Sequence, residues 1–204
     1  MARAFAKAGA AKIAILGRTE KTLLAAKKSI ETIYPTTNLS ILTADVAHEV
    51  SVKAAFKNIK STFGSVDILV SNPGYLPDIK SVEGISVDEW WRGYEVNVKG
   101  TFIVVKTALA IILAPDAAVI NVTTGIATLP YVPMYSSYAT SEIASIKLFD
   151  DLQHEHSTRH FVSVHPDVVE TAMDEKIVAS GTVLPKDENK WQTFSRSSEF
   201  MLMA

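Results

Sequence analysis

The chain has 204 residues, 48% hydrophobic and 21% charged, with 20 Lys and Arg against 22 Asp and Glu for a formal net charge of −2. That composition fits one globular domain with a sizeable core and excludes a disordered chain; the near-neutral balance offers no basic field for nucleic acid, and zero cysteines exclude a disulfide framework or thiolate metal site. The charged N-terminus never builds the apolar run of a secretory signal, and the longest apolar stretch, Thr101 to Leu113, is broken by Lys106 and falls short of the ~20 residues that span a bilayer, so a cytoplasmic protein without a membrane span is expected.

In chain order, the first apolar run of strand length is Lys12 to Leu16, followed by Gly17 and Arg18, and the second is Leu39 to Thr43, followed closely by Asp45. Val52, Ala55, Phe56, Ile59 and Phe63 then recur at helical spacing and form one apolar stripe, which is core. Val66 to Val70 reads as the third strand. Ser86-Val-Asp-Glu89 has the form of a capping box opening a long helix through Trp90 and Asn97. Ala118 to Val122 and Phe161 to Val164 complete the strands, and beyond Thr171 the periodicity fades into a polar tail, 186–204, with no assignable fold. Strands alternating with helices predict a parallel α/β sheet in a single domain over residues 1–204. The five histidines show no ligand spacing joined to carboxylates, so no metal site is expected.

Five short motifs lie at the ends of these elements: Asp67-Ile-Leu-Val-Ser-Asn72-Pro-Gly74, Asn97-Val-Lys-Gly100, Val119-Ile-Asn-Val-Thr-Thr124-Gly, Tyr138-Ala-Thr-Ser141 and His165-Pro-Asp-Val-Val169-Glu-Thr171. In that order and spacing the chain resembles the short-chain dehydrogenases/reductases from about Ala2 to Met173. The resemblance implies a Rossmann-like, doubly wound parallel sheet in three α/β/α layers. It places Ala2 to Gly9 in the second half of the family's first helix, so the usual first strand and its glycine-rich loop are expected to be missing, through truncation or through an upstream segment left out of the chain. In the family's 3-2-1-4-5-6 sheet that strand is central.

The same resemblance assigns roles. Tyr138 exchanges a proton with the substrate oxygen while hydride moves to or from the nicotinamide; Thr124 stands where the family has a serine that orients that oxygen, and Asn97 supports a proton-relay water. A free phenol has a pKa of about 10, and the family favours its ionised form with a lysine four residues on. Here that position is Glu142, which inverts the charge and is expected to raise the phenol pKa. Lys147, nine residues along, falls on the opposite side of the helix.

For the cofactor, the resemblance implies NADP: Gly17 leaves room and Arg18 positive charge for a 2'-phosphate, Asp45 meets the adenine, Asn72 and Gly74 form the turn after the third strand, Lys106 faces the cofactor, and Val169 and Thr171 belong to the segment closing over the nicotinamide, where Asp167 replaces a glycine. Read singly, Arg18 is also a solvated charge, Asp45 an N-cap, and Asn72 to Gly74 a turn.

Leu129, Tyr131, Val132 and Met134 would surround the substrate and favour an apolar small carbonyl compound or alcohol, and the wording resembles fungal members that tailor secondary metabolites. Two functions stay open: an NADP-dependent ketone reductase or secondary-alcohol dehydrogenase, or an inactive truncated remnant kept as an interaction subunit. Pairing into a homodimer or homotetramer is expected through the helices at Thr101 to Leu113 and Ser141 to Leu152.

Overall fold

The computed structural model describes residues 1–166 and 171–181; Asp167, Val169 and the polar tail lie outside the described residues. The expected single domain is laid out as two compact units, Met1–Val66 with Ile103–Ala114, and Asp67–Phe102 with the chain from Pro115 onward.

In the first unit, α1 (Ala2–Lys7), β1 (Lys12–Gly17), α2 (Glu20–Glu31), β2 (Asn38–Thr43) and α3 (Glu49–Phe63) follow one another. β1 and β2 run parallel, with Lys12 opposite Asn38 and Gly17 opposite Thr43. Ala6, Ile30 and Leu39, from α1, α2 and β2, form a buried cluster against which Ile13, Ile15 and Tyr34 pack. Four of the five residues of the predicted α3 stripe, Val52, Ala55, Phe56 and Ile59, are buried, each larger side chain contributing about 1.5–3 kcal/mol, while Phe63 at the helix end is half-buried. Gly64 ends the helix at φ +86°, a left-handed conformation that favours glycine, and its N–H closes the last turn on the Lys60 carbonyl at 3.0 Å.

In the second unit, β3 (Val66–Ser71), β4 (Leu113–Val122) and β5 (His160–Val164) form a sheet in that order, and β4 pairs with β5 in parallel from Ala118 opposite His160 to Val122 opposite Val164. β4 starts five residues before the predicted strand, because Leu113 to Ala117 also adopt extended backbone. The unit also holds α4 (Val87–Tyr94), a π-helical turn at Glu95–Gly100, a 3₁₀ turn at Gly125–Ala127, α6 (Ser136–Glu155) and α7 (Ala172–Ala179), while α5 (Thr101–Ile111), next in the chain after the π-helical turn, belongs from Ile103 onward to the first unit.

The capping box at Ser86 is only half made. Ser86 Oγ accepts from Glu89 N at 3.2 Å, but Glu89 Oε1 turns outward to accept from the Tyr75 hydroxyl at 2.7 Å and from Asp78 N at 3.1 Å. The continuous helix expected through Asn97 is interrupted by the π-helical turn. α4 meets α6 at Gly93, where an added Cβ would run into Ser137 Oγ and come within 3.0 Å of Pro77 Cγ. Ser137 Oγ donates to the Trp90 carbonyl at 2.5 Å and Trp90 Nε1 donates to Ser136 Oγ at 3.1 Å across the same junction.

The molecule is a Rossmann-like α/β protein with parallel pairing. Within the described residues, β1 has β2 as its strand partner and β3 has β4. Parallel strands are ordinarily covered on both faces, yet β1 contributes no buried residue and Ile68 of β3 is 47% exposed. No described helix is long and apolar enough to cross a membrane.

Candidate active site

The site is built on one face of α6. Ser137, Tyr138, Ser141, Glu142 and Ser145 recur at three- and four-residue spacing and point inward together. The serines are small enough to let the helix approach closely, and each of the two deeper ones satisfies itself on its own helix: Ser141 Oγ donates to the Tyr138 carbonyl at 3.0 Å and Ser145 Oγ to the Glu142 carbonyl at 2.8 Å. Both also accept from buried asparagines, Ser141 from Asn97 Nδ2 at 3.0 Å and Ser145 from Asn121 Nδ2 at 3.2 Å.

Asn97, only 2% exposed on the π-helical turn, clamps the loop after β3: its Oδ1 accepts from Tyr75 N at 2.8 Å and its Nδ2 donates to the Tyr75 carbonyl at 3.0 Å. Its side chain thereby holds loop, turn and α6 together. Thr124 follows β4 and caps the 3₁₀ turn by accepting from Ile126 N at 3.3 Å. The Thr124 hydroxyl also favours the ionised form of the Tyr138 phenol.

Tyr138 is 8% exposed, and its hydroxyl donates to Met173 Sδ of α7 at 3.4 Å. Burial holds this phenol well above its ordinary value, the charge of Glu142 adds to the rise, and the Thr124 hydroxyl opposes it. Glu142 is itself 4% exposed and accepts from Thr123 Oγ1 at 2.9 Å. Burial pushes its carboxyl up to about 7 against the pull of that hydrogen bond. A protonated phenol beside a threonine hydroxyl is a pair of donors suited to a carbonyl oxygen and to the negative charge that develops on it during reduction.

Tyr138, Thr124, Asn97 and Glu142 therefore come together in the second unit. Asn72 and Gly74 lie exposed in the loop after β3, where a Cβ on Gly74 would stand 3.5 Å from Met173 Cε, an ordinary contact. Thr171 caps α7, accepting from Asp174 N at 3.3 Å. Val169 lies outside the described residues. In the first unit, Arg18 is exposed directly after β1. Asp45 shapes its own turn: Oδ1 accepts from Ala47 N at 3.0 Å and Oδ2 lies 3.4 Å from His48 Nδ1. Lys106 Nζ sits 3.7 Å from Glu49, which Lys53 meets at 2.7 Å. Among the described residues no cluster of three His, Asp or Glu could hold a metal.

Three participants escaped the sequence reading. Thr123 holds Glu142, Tyr75 receives the Asn97 clamp, and Met173 covers the Tyr138 hydroxyl. Only Thr123 left a signal, as the first of two consecutive threonines at a strand end. Leu129, Tyr131, Val132 and Met134 line a groove of about 550 Å³ with Val82 and Ile143. Tyr138 is not part of that lining; it borders a narrow crevice with Leu76, Pro77 and Tyr135.

Comparison with known proteins gives these positions a context. The family model described as short chain dehydrogenase matches residues 1–181. The chain is 31% identical over 178 residues to the short chain dehydrogenase citE of Monascus ruber, covering 83% of this chain and 60% of that protein, and 30% identical over 177 residues to pigC of the same species, at 81% and 56%. The chain thus spans about three fifths of the length of these curated relatives. Among solved structures, an alcohol dehydrogenase from Thermococcus sibiricus complexed with 5-hydroxy-NADP superposes with a TM-score of 0.77 at 25% identity, over 83% of this chain and 71% of that one. An actinorhodin polyketide ketoreductase variant with NADPH gives a TM-score of 0.79 at 21% identity, over 88% and 69%, a likeness of fold.

Proposed function

Because the chain belongs to the short-chain dehydrogenase family, we propose that it is an NADP-dependent reductase of apolar ketones, with Tyr138 as the proton donor, Thr124 orienting the substrate oxygen and Asn97 holding the loop beside them. The observation that carries this reading is the buried Tyr138 phenol, held protonated and subject to the Thr124 hydroxyl that follows β4. Reduction is favoured over oxidation, because a buried phenol held in its protonated form already carries the proton that a carbonyl oxygen needs, whereas oxidation needs a standing phenolate as base. NADPH, which would supply hydride when bound, is preferred over NADH because Gly17 carries no acidic group and Arg18 is exposed beside it to meet a 2'-phosphate. The neighbour from Thermococcus sibiricus, which carries 5-hydroxy-NADP, supports the same choice. The glycine-rich loop that would seat the pyrophosphate is not found in residues 1–204, so these residues do not fit the middle of the cofactor.

The groove lined by Leu129, Tyr131, Val132 and Met134 favours an apolar substrate of medium size, and a secondary metabolite is the class this reading assigns to it. Pairing of copies through α5 and α6 belongs to the same reading, since Phe102 and Ile143 on those helices stay exposed. The test is ketone reduction followed by NADPH consumption. Tyr138→Phe, which keeps the ring and removes the acid, should lower turnover by about 10²-fold or more. A second reading, a non-catalytic relative, is favoured by Met173 on the Tyr138 hydroxyl and by Glu142 in the place of the family's lysine; equal rates for the two proteins, or none in either, would select it.

A further inference from the structure

The first turn of α6 is left without a cap. Ser136, Ser137 and Tyr138 open the helix, their N–H groups find no acceptor among the described residues, and Tyr135 at the N-cap makes no side-chain capping bond. Serines near a helix start ordinarily cap it, but Trp90 takes both hydroxyls: Ser136 Oγ accepts from its indole N–H and Ser137 Oγ donates to its carbonyl. Tyr135 is 2% exposed, and its hydroxyl is buried with no hydrogen-bond partner. A hydroxyl held that way is costly, and a ligand oxygen that reaches it removes the cost.

We propose that the start of α6 and the Tyr135 hydroxyl form the carboxylate seat of a binding site for amphipathic organic acids, whose apolar body lies in the neighbouring groove. Tyr135, Ser136, Ser137 and Tyr138 line the narrow crevice with Pro77 and Asp78, and its volume of about 10 Å³ is that of one water-sized group, enough for a single carboxylate oxygen. Met134 and Ser136 line both this crevice and the groove of about 550 Å³. An acid can therefore set its oxygen at the helix end and its body along Leu129, Val132 and Ile143. The unpaired N–H groups and the positive end of the helix dipole favour an anion there over a neutral acceptor.

The side chains beside the crevice allow the same ligand. Asp78 alone would repel a carboxylate, but Lys80 Nζ holds its Oδ2 at 3.1 Å and Lys176 Nζ lies 3.4 Å from its Oδ1, so two ammonium groups stand against one carboxylate. Lys80 also lines the groove. Glu89 is engaged elsewhere, by the Tyr75 hydroxyl and Asp78 N. The site lies wholly within the second unit. It goes beyond the reductase reading, since an acid binds there with or without hydride transfer.

The test is calorimetric titration of the full chain without nucleotide, so that its outcome is separate from that of ketone reduction. Octanoate and naphthoate offer an acyl and an aryl body, octanamide and naphthamide are their uncharged counterparts, and acetate lacks the body. At least one of the two acids should bind about 10-fold or more tighter than its amide and than acetate. Tyr135→Phe should weaken that acid by about 10-fold or more, and it should not lower the melting temperature of the free protein, because the hydroxyl has no partner to lose. Ile143→Asp, at a position 41% exposed and so tolerant of charge, should weaken the acid and leave acetate unchanged. No binding of either acid, equal binding of acid and amide, or unchanged binding of the acid in either variant would overturn the proposal. A Tyr135→Phe protein that melts earlier than the parent would overturn it as well, since the hydroxyl would then be satisfied before any ligand arrives.

Discussion

A carboxyl buried without a counter-ion makes the stability of the whole fold depend on pH. Glu142 has an ordinary value of 4.5 in the unfolded chain and about 7 in the folded one, so between these values the folded state holds a proton that the unfolded state has released. Stability is therefore full below about 4.5, falls by about 1.4 kcal/mol per pH unit through the window, and levels off above 7, for a loss on the order of 3 kcal/mol. Urea midpoints measured across pH 4 to 8 should follow this slope, and Glu142→Gln should flatten it; a parallel slope in that variant would assign the dependence to other groups. Asn97 is the second sensitive residue. Asn97→Ala strands the Tyr75 N–H and carbonyl and removes a donor from Ser141, and should cost about 2–4 kcal/mol in urea unfolding. The positions of Tyr138, Thr124, Asn97 and Glu142 were legible in the sequence, since each sits at a motif read from chain spacing. The burial that decides how Glu142 behaves was not. Chain spacing shows a carboxylate four residues after a tyrosine and suggests a charge; only the packed structure shows that water is excluded and that Thr123 is the partner.

Among the elements, strands were easier to read than their junctions. Runs such as Lys12 to Leu16 and Phe161 to Val164 declare themselves because a continuous apolar segment of that length has few other fates in an α/β chain, and the observed strands differ from them by one residue. Glu89 shows why junctions resist: a local pattern sends it back to Ser86, but folding brings Tyr75 and Asp78 within reach, and those partners are 14 and 11 residues away. The π-helical turn is likewise invisible to a 3.6-residue period, although it carries Asn97 into the interior. At the α4–α6 junction the consequence can be measured. Gly93→Ala places a methyl against Ser137 Oγ and Pro77, and should destabilise by about 1–3 kcal/mol through overpacking. Removing the obstructing hydroxyl tests the cause: in a Gly93→Ala/Ser137→Ala double-mutant cycle the two changes should couple by about 0.5 kcal/mol or more, whereas strict additivity would mean the backbone, not the contact, was disturbed.

For the whole molecule, cofactor binding and stability should respond together to a segment placed ahead of Met1. β1 offers a strand that contributes no buried residue, with β2 as its strand partner among the described residues, and residues 1–204 hold no glycine loop for a pyrophosphate. Fusing a family first strand and glycine loop before Ala2 supplies backbone partners and apolar cover. If it docks, a gain of about 1 kcal/mol raises the melting temperature by roughly 2–4 °C for a chain of this size. Once the pyrophosphate is seated, the preference between cofactors should become measurable as a further, concentration-dependent rise in melting temperature, because a ligand that binds only the folded state stabilises it by mass action. NADPH should raise it more than NADH at equal concentration. The difference should be assignable to Arg18: a guanidinium on a 2'-phosphate makes charge-assisted hydrogen bonds, so Arg18→Ala should weaken NADPH about 10-fold, or about 1.4 kcal/mol, and leave NADH nearly unchanged. Gly17→Asp should act in the opposite sense, repelling the phosphate and offering a carboxylate to the ribose hydroxyls; its Cβ would stand 3.3 Å from the flexible Leu23 side chain, which can shift to admit it. Larger stabilisation by NADH in the fused parent would overturn the NADP assignment, and an equal loss of both cofactors in Arg18→Ala would mean that Arg18 supports the fold of the β1–α2 turn rather than reading the phosphate.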